Sequence, residues 1–251
     1  MESISIELLL YLAAGAALGG FVNGLAGFGT GLMSLGIWLQ VMSVEDAVPV
    51  VAAMSVASGL QSLWLTRQGV KTGLHRMPRF LIPALLGLPA GAWLLNWISA
   101  SDLKLAVAFF MLFYTAFFLM RARLAALFTQ EHPVCDGLVG FTGGLMGGAA
   151  SLSGVVPTMW CALQPWDKFQ TSAVLRPYNV VILTLAFLWY LFAGHVSLHT
   201  WICAALAFPV TLVFSRLGVA AFRRLTDTMF RNVLVSLMVL SAFSILAREY
   251  L

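Results

Sequence analysis

Apolar residues along this chain come in runs of about 20 or more, separated by short polar segments. That length crosses a bilayer as helix rather than as barrel strand. The runs cover 4–42, 46–66, 80–98, 104–120, 134–164, 171–193, 199–217 and 230–247, with loops at 67–79, 99–102, 121–133, 165–170, 194–198 and 217–229. Six runs have ordinary span lengths. The runs 4–42 and 134–164 are too long for one crossing, and each carries a glycine cluster near its middle.

Those clusters repeat. Gly20-Phe21-Val22-Asn23-Gly24-Leu25-Ala26-Gly27 reappears as Gly140-Phe141-Thr142-Gly143-Gly144-Leu145-Met146-Gly147, an offset of 120 positions at which Leu32 also meets Leu152. The offset is close to half of 251 residues, which predicts two related membrane halves, 1–125 and 126–251, within one transmembrane domain. The predicted fold class is an all-α integral membrane protein. It has two inverted repeats, each a Gly-rich broken or re-entrant helical hairpin followed by three transmembrane helices.

Basic residues decide how the long runs thread. If every run crosses once, seven Lys and Arg side chains face six. If each glycine-rich run enters and leaves on one face, Arg67, Lys71, Arg76, Arg79, Arg121, Arg123, Lys168, Arg216, Arg223, Arg224 and Arg231 share a side, opposite only Lys104 and Arg248. That eleven-to-two asymmetry obeys the positive-inside rule and inverts one half relative to the other. Both termini are then expected to be periplasmic in a bacterial inner membrane, with loops 67–79 and 217–229 cytoplasmic.

Composition agrees. Hydrophobic residues are 61% and charged residues 10% of the chain, against about 45–50% and about 25% in soluble domains. Glu2 and Glu7 stand where a signal peptide needs positive charge, so none is expected. Cys135, Cys161 and Cys203 lack a C-x-x-C spacing and read as small buried hydrophobes. The net charge of +4 sits in inter-helix loops, as topology determinants rather than a nucleic-acid surface.

Hairpins of this kind leave backbone groups unpaired where their half-helices meet, around Gly27 to Gly31 and Gly147 to Gly154. In hydrocarbon such backbone survives only inside protein or along a polar cavity. Half-helix N-termini aimed at that cavity carry partial positive charge and free donors, which suits an anion. Candidate binding residues are therefore Gly27, Gly29, Thr30, Gly147, Gly148, Ser151 and Ser153, with Ser34 at the same depth. The alternative for Gly20-x-x-x-Gly24, Gly27-x-x-x-Gly31, Gly87-x-x-x-Gly91 and Gly140-x-x-x-Gly144 is close helix packing. For any single glycine packing is the better reading; for the paired clusters, the cavity.

Arg176 lies inside the run 171–193, followed by Pro177, Tyr178 and Asn179. An intramembrane arginine is expensive and needs an anionic partner or water. Its planar fork matches a sulfonate, sulfite or carboxylate, with Tyr178 and Asn179 beside it. Otherwise it pairs with Asp136 or Asp167, or snorkels to the cytoplasmic interface. Asn23, Gln40 and Gln164 are secondary or gating candidates, the two glutamines at matching hairpin ends. Asp136 fits an interfacial cap better than a proton carrier. His75, His132, His195 and His199 fall in or beside loops and read as solvated.

The doubled G-F-x-x-G-L-x-G in an eight-segment chain resembles the sulfite exporter TauE/SafE family over essentially its whole length. The resemblance implies a secondary carrier of small sulfur-containing or carboxylate anions such as sulfite or sulfoacetate, exporting them. Uptake of a related anion and a non-transport scaffold subunit stay open. An intramembrane enzyme is disfavoured, since no H-E-x-x-H, C-x-x-C, G-x-S-x-G or P-loop occurs. No cofactor and no metal is expected. The expected partners are the anion, the lipid bilayer and a second copy in a homodimer, with no nucleic acid.

Overall fold

The structure is a computed structural model that describes residues 6–70, 75–125 and 133–226, and isolated positions between 228 and 236. The predicted run 230–247 lies almost wholly outside the described residues. Those described form helices and no strand. In order they are α1 (Ile6–Ala26), α2 (Thr30–Trp38), α3 (Val44–Val70), α4 (Met77–Leu94, followed by a 3-10 turn Leu95–Trp97), α5 (Ala100–Ala125), α6 (Pro133–Ala150), α7 (Val155–Leu163), α8 (Lys168–Phe192) and α9 (Leu198–Arg224).

Each long run divides into a long helix and a nine-residue one. The breaks have different local causes. Gly27 and Gly29 adopt φ of +84° and +98°, left-handed values that end α1 and leave Gly29 at the N-cap of α2. α6 ends instead on Ser151 at φ +57°, whose N–H returns to the Gly147 carbonyl at 3.0 Å, the single bond of an αL cap.

Several helices outrun the apolar segments. α3 continues to Val70 and α9 to Arg224, through positions read as loop. Arg67, Gln68, Ala220, Ala221, Arg223 and Arg224 are good helix formers and no proline falls there, so the backbone stays helical through Gly69 and Gly218.

α3 and α8 pack on each other at the centre. α1 lies along α9, and α6 along α4. Glycines set both seams. A β-carbon on Gly20 would come within 2.6 Å of the Thr211 carbonyl oxygen, and Gly24 and Gly218 meet α9 and α1 backbone as closely. Across the other seam Gly140, Gly144 and Gly148 face α4 backbone, while Gly87 and Gly91 face that of α6. For these residues the packing reading holds.

Two ends of the bundle are chemically distinct. At one, Arg76 stacks over Trp166 (4.8 Å), Lys168 bonds the Phe222 and Leu225 carbonyls, and Arg223 bonds the Leu65 carbonyl. At the other, Asp46 at the start of α3 accepts from Ser197 (2.9 Å) and Thr200 at the start of α9, and His199 Nδ1 lies 3.2 Å from it. His199 is thus engaged rather than merely solvated. The start of α3 lies with the start of α9, and its end with the end of α9 and the start of α8. α3 and α8 therefore run antiparallel.

Among the described residues, six helices are long and apolar enough to cross a membrane. Large side chains such as Leu86, Trp93, Leu119 and Phe192 are exposed on the bundle, an arrangement that lipid accommodates and water does not.

Candidate functional site

The two breaks meet in the middle of the protein. Gly31, at the start of α2, abuts the Ser151 carbonyl and Leu152; Gly154, before α7, abuts Phe28. Between them lies a cavity of about 10 Å³, lined by Gly29, Ser55, Ser151, Gly154 and Asn179 among others. One water needs about 10–15 Å³, so the N-termini of α2 and α7 face a nearly closed space.

Most of the hydroxyls expected to hold an anion are already spent on the protein. Thr30 accepts from Asn23 Nδ2 (2.9 Å) and donates to the Gly19 carbonyl; Ser34 donates to the Gly15 carbonyl. Ser151 donates to the Val48 carbonyl, 103 positions away in sequence, and Ser153 to Asn179 Oδ1. The bonds of Thr30 and Ser34 stay within the α1–α2 hairpin, whereas those of Ser151 and Ser153 tie the second break to α3 and α8. Asn23 is a junction: its amide also reaches Ser58 Oγ (2.8 Å) and the Ser55 carbonyl (3.3 Å).

Asn179 comes closest to the expected role. It lines the cavity, is 3% exposed, and donates to the Gly27 carbonyl at 3.3 Å. Tyr178 points elsewhere, its hydroxyl donating to the Gly140 carbonyl of α6. Gly147 packs against Ile182 and Ser153, and Gly148 faces α4, so both stand outside the cavity lining. Gln40 bonds the Gly36 carbonyl (2.7 Å) and Gln164 forms the C-cap of α7; neither lines the cavity.

Arg176 is wholly buried, eight residues into α8, which excludes snorkelling from the described chain. Neither candidate carboxylate meets it. Asp136 accepts from Trp160 Nε1 (2.7 Å) and approaches Arg79, and Asp167 caps α8 through Gln170 N–H. Instead Arg176 Nη2 donates to the Gly24 (3.0 Å) and Leu25 (3.2 Å) carbonyls at the end of α1, Nε donates to Ser172, and the group lies 5.1 Å from the Phe222 ring centroid. Its Nη1 has no partner. A helix C-terminus carries roughly −0.5 charge, so about half of the guanidinium charge is unbalanced in the interior. Burying such a charge costs several kcal/mol unless an anion meets it.

Helix α8 organises the rest. Lys168, Ser172, Arg176 and Asn179 fall within about 80° of its circumference at 100° per residue, a polar stripe about 16 Å long. From the same helix Tyr190 donates to the Gly147 (3.2 Å) and Gly148 carbonyls, capping α6 much as Arg176 caps α1. The i, i+4, i+8 spacing of Lys168, Ser172 and Arg176 was present in the sequence; the capping by Tyr190 had no sequence signal.

A bundle whose outer surface is apolar and whose polar side chains converge on two broken helices is a multi-pass membrane protein. The chain belongs to the sulfite exporter TauE/SafE family, whose model matches residues 11–245. Members of that family are membrane transporters rather than enzymes. No curated protein and no solved structure matches the chain closely enough to add to that assignment.

Proposed function

We propose that the protein is a secondary transporter that carries a small oxyanion, sulfite or an organosulfonate such as sulfoacetate, out across the bacterial inner membrane. The observation that carries this reading is Arg176: a fully buried guanidinium with an unpartnered Nη1 and no carboxylate facing it among the described residues. A monovalent anion leaving an inside-negative cell gains about 2.3 kcal/mol per 100 mV, so export needs no energising domain. Asn179 and the N-termini of α2 and α7 are the further anion-facing groups, with Gly27 and Gly29 giving the backbone close approach.

The transport cycle in this reading is an exchange between two inverted halves with re-entrant hairpins α1–α2 and α6–α7 and periplasmic termini. The antiparallel α3 and α8 support it, as does the exchange of partners in which α1 pairs with α9 and α6 with α4. The basic end around Arg76, Arg121, Lys168 and Arg223 is then cytoplasmic. Ala52, not an arginine, occupies the position in α3 that answers to Arg176 in α8, so the anion site is asymmetric.

Sulfite efflux from proteoliposomes and calorimetric binding to purified variants test the proposal. Arg176→Gln keeps donors for the Gly24 and Leu25 carbonyls but removes the charge; Arg176→Lys keeps the charge and loses the fork. Both variants are expected to stay folded and to lose most sulfite binding, Gln more than Lys. Wild-type affinity in a folded Arg176→Gln protein would remove this residue from the site.

A further inference from the structure

A second cavity, of about 120 Å³, lies at the basic end of α8 and shares Phe28 with the lining of the central one. That is several times the space one water needs. It is lined by the cations Arg121 and Lys168, by the hydroxyl residues Tyr114 and Ser172, and by Phe28 and Trp166 among other apolar groups; no Asp or Glu lines it among the described residues. Ser172 also accepts from Arg176, and Lys168 Nζ lies 5.3 Å from the same Phe222 ring centroid that Arg176 approaches. The chamber therefore adjoins the buried arginine, along the α8 stripe.

One residue of its lining carries a polar group that is unaccounted for. Tyr114 is fully buried, and its hydroxyl has no hydrogen-bond partner. A buried unpaired hydroxyl costs about 1–3 kcal/mol, a penalty that sequences ordinarily avoid with phenylalanine. Lys168 is held by two backbone carbonyls rather than a carboxylate, so its charge is not neutralised. An unpaired donor and uncompensated positive charge in an aromatic-walled space describe a receptor for an anion with a small apolar body.

We infer that this chamber is a second anion-binding station, in which Tyr114 Oη and Lys168 Nζ hold the oxyanion and the aromatic wall takes a short carbon stem. The station rests on the carrier reading above and extends it: the anion waits here before Phe28 yields and Arg176 receives it.

The test uses full-length protein in proteoliposomes, with sulfite and ethanesulfonate as probes and half-saturation measured separately from each face. Tyr114→Phe removes one oxygen that no protein group needs, so its melting temperature is expected to equal or exceed the wild type's. Its half-saturating ethanesulfonate concentration is expected to rise roughly tenfold from the basic face, the value of a hydrogen bond to a charged group, and to stay unchanged from the opposite face. Lys168→Gln is expected to act in the same one-sided way. An equal effect from both faces, or none in either variant, overturns the station while leaving the carrier reading intact. Wild-type vesicles that carry neither probe above protein-free vesicles overturn both.

Discussion

Phe28 and Gly154 are in direct contact where the two broken helices meet: a β-carbon built on Gly154 would lie 2.5 Å from that of Phe28. Phe28 also lines both the central cavity and the chamber beside Lys168, and in the two-station reading its ring is the partition between them. Phe28→Ala is expected to open that partition and raise sulfite flux through proteoliposomes. Gly154→Ala forces the breaks apart, at about 1–3 kcal/mol for overpacking, and is expected to lower both melting temperature and flux. Unchanged flux in both variants would show that the anion takes another route.

The glycine seams make a contrast in stability. Gly24→Ala sets a methyl group against the Ser215 backbone, which cannot turn aside as a side chain can, and thermal unfolding in detergent is expected to show a loss of several degrees. Gly194→Ala has nothing within 4 Å, and only its φ of +80° opposes it, at about 1–2 kcal/mol. The larger loss belongs to Gly24.

Tyr190→Phe strips the hydroxyl from the end of α6 and leaves the Gly147 and Gly148 carbonyls without that donor. Stability is expected to fall by about 1–3 kcal/mol. Sulfite affinity in calorimetry stays at the wild-type value, because Tyr190 touches neither cavity; a drop in affinity would place α6's end in the site.

Topology is open to labelling. In a variant without Cys135, Cys161 and Cys203, His195→Cys is expected to react with an impermeant maleimide from outside cells. His75→Cys, beside Arg76 at the basic end, should react only after permeabilisation. Labelling of both positions from one face would refute the inverted arrangement.

The spans among the described residues and the interruption of the two long runs were legible because each depends on local composition: apolar runs long enough for a bilayer, and small residues that interrupt them. The register of the repeat was not. α1 ends at Ala26 and α6 at Ala150, while α3 starts at Val44 and α8 at Lys168, so these helix boundaries recur 124 positions apart, where the glycine identities recur at 120. Gly24 answers to Gly148 and Gly27 to Ser151. Glycines spaced every fourth residue match themselves after a shift of one helical turn, so identity alone cannot choose between registers. The helix boundaries choose, because Gly140, Gly144 and Gly148 all face α4 and either shift leaves glycines on that seam. The sequence likewise marked Arg176 as costly and pointed to a partner of opposite charge. That the partner is the carbonyl end of α1, over 150 positions away, is a consequence of helices crossing, which no local pattern encodes. Tyr114 and Phe28 were invisible for the same reason: an apolar run says that a ring is buried, and only the tertiary structure says which cavity it walls.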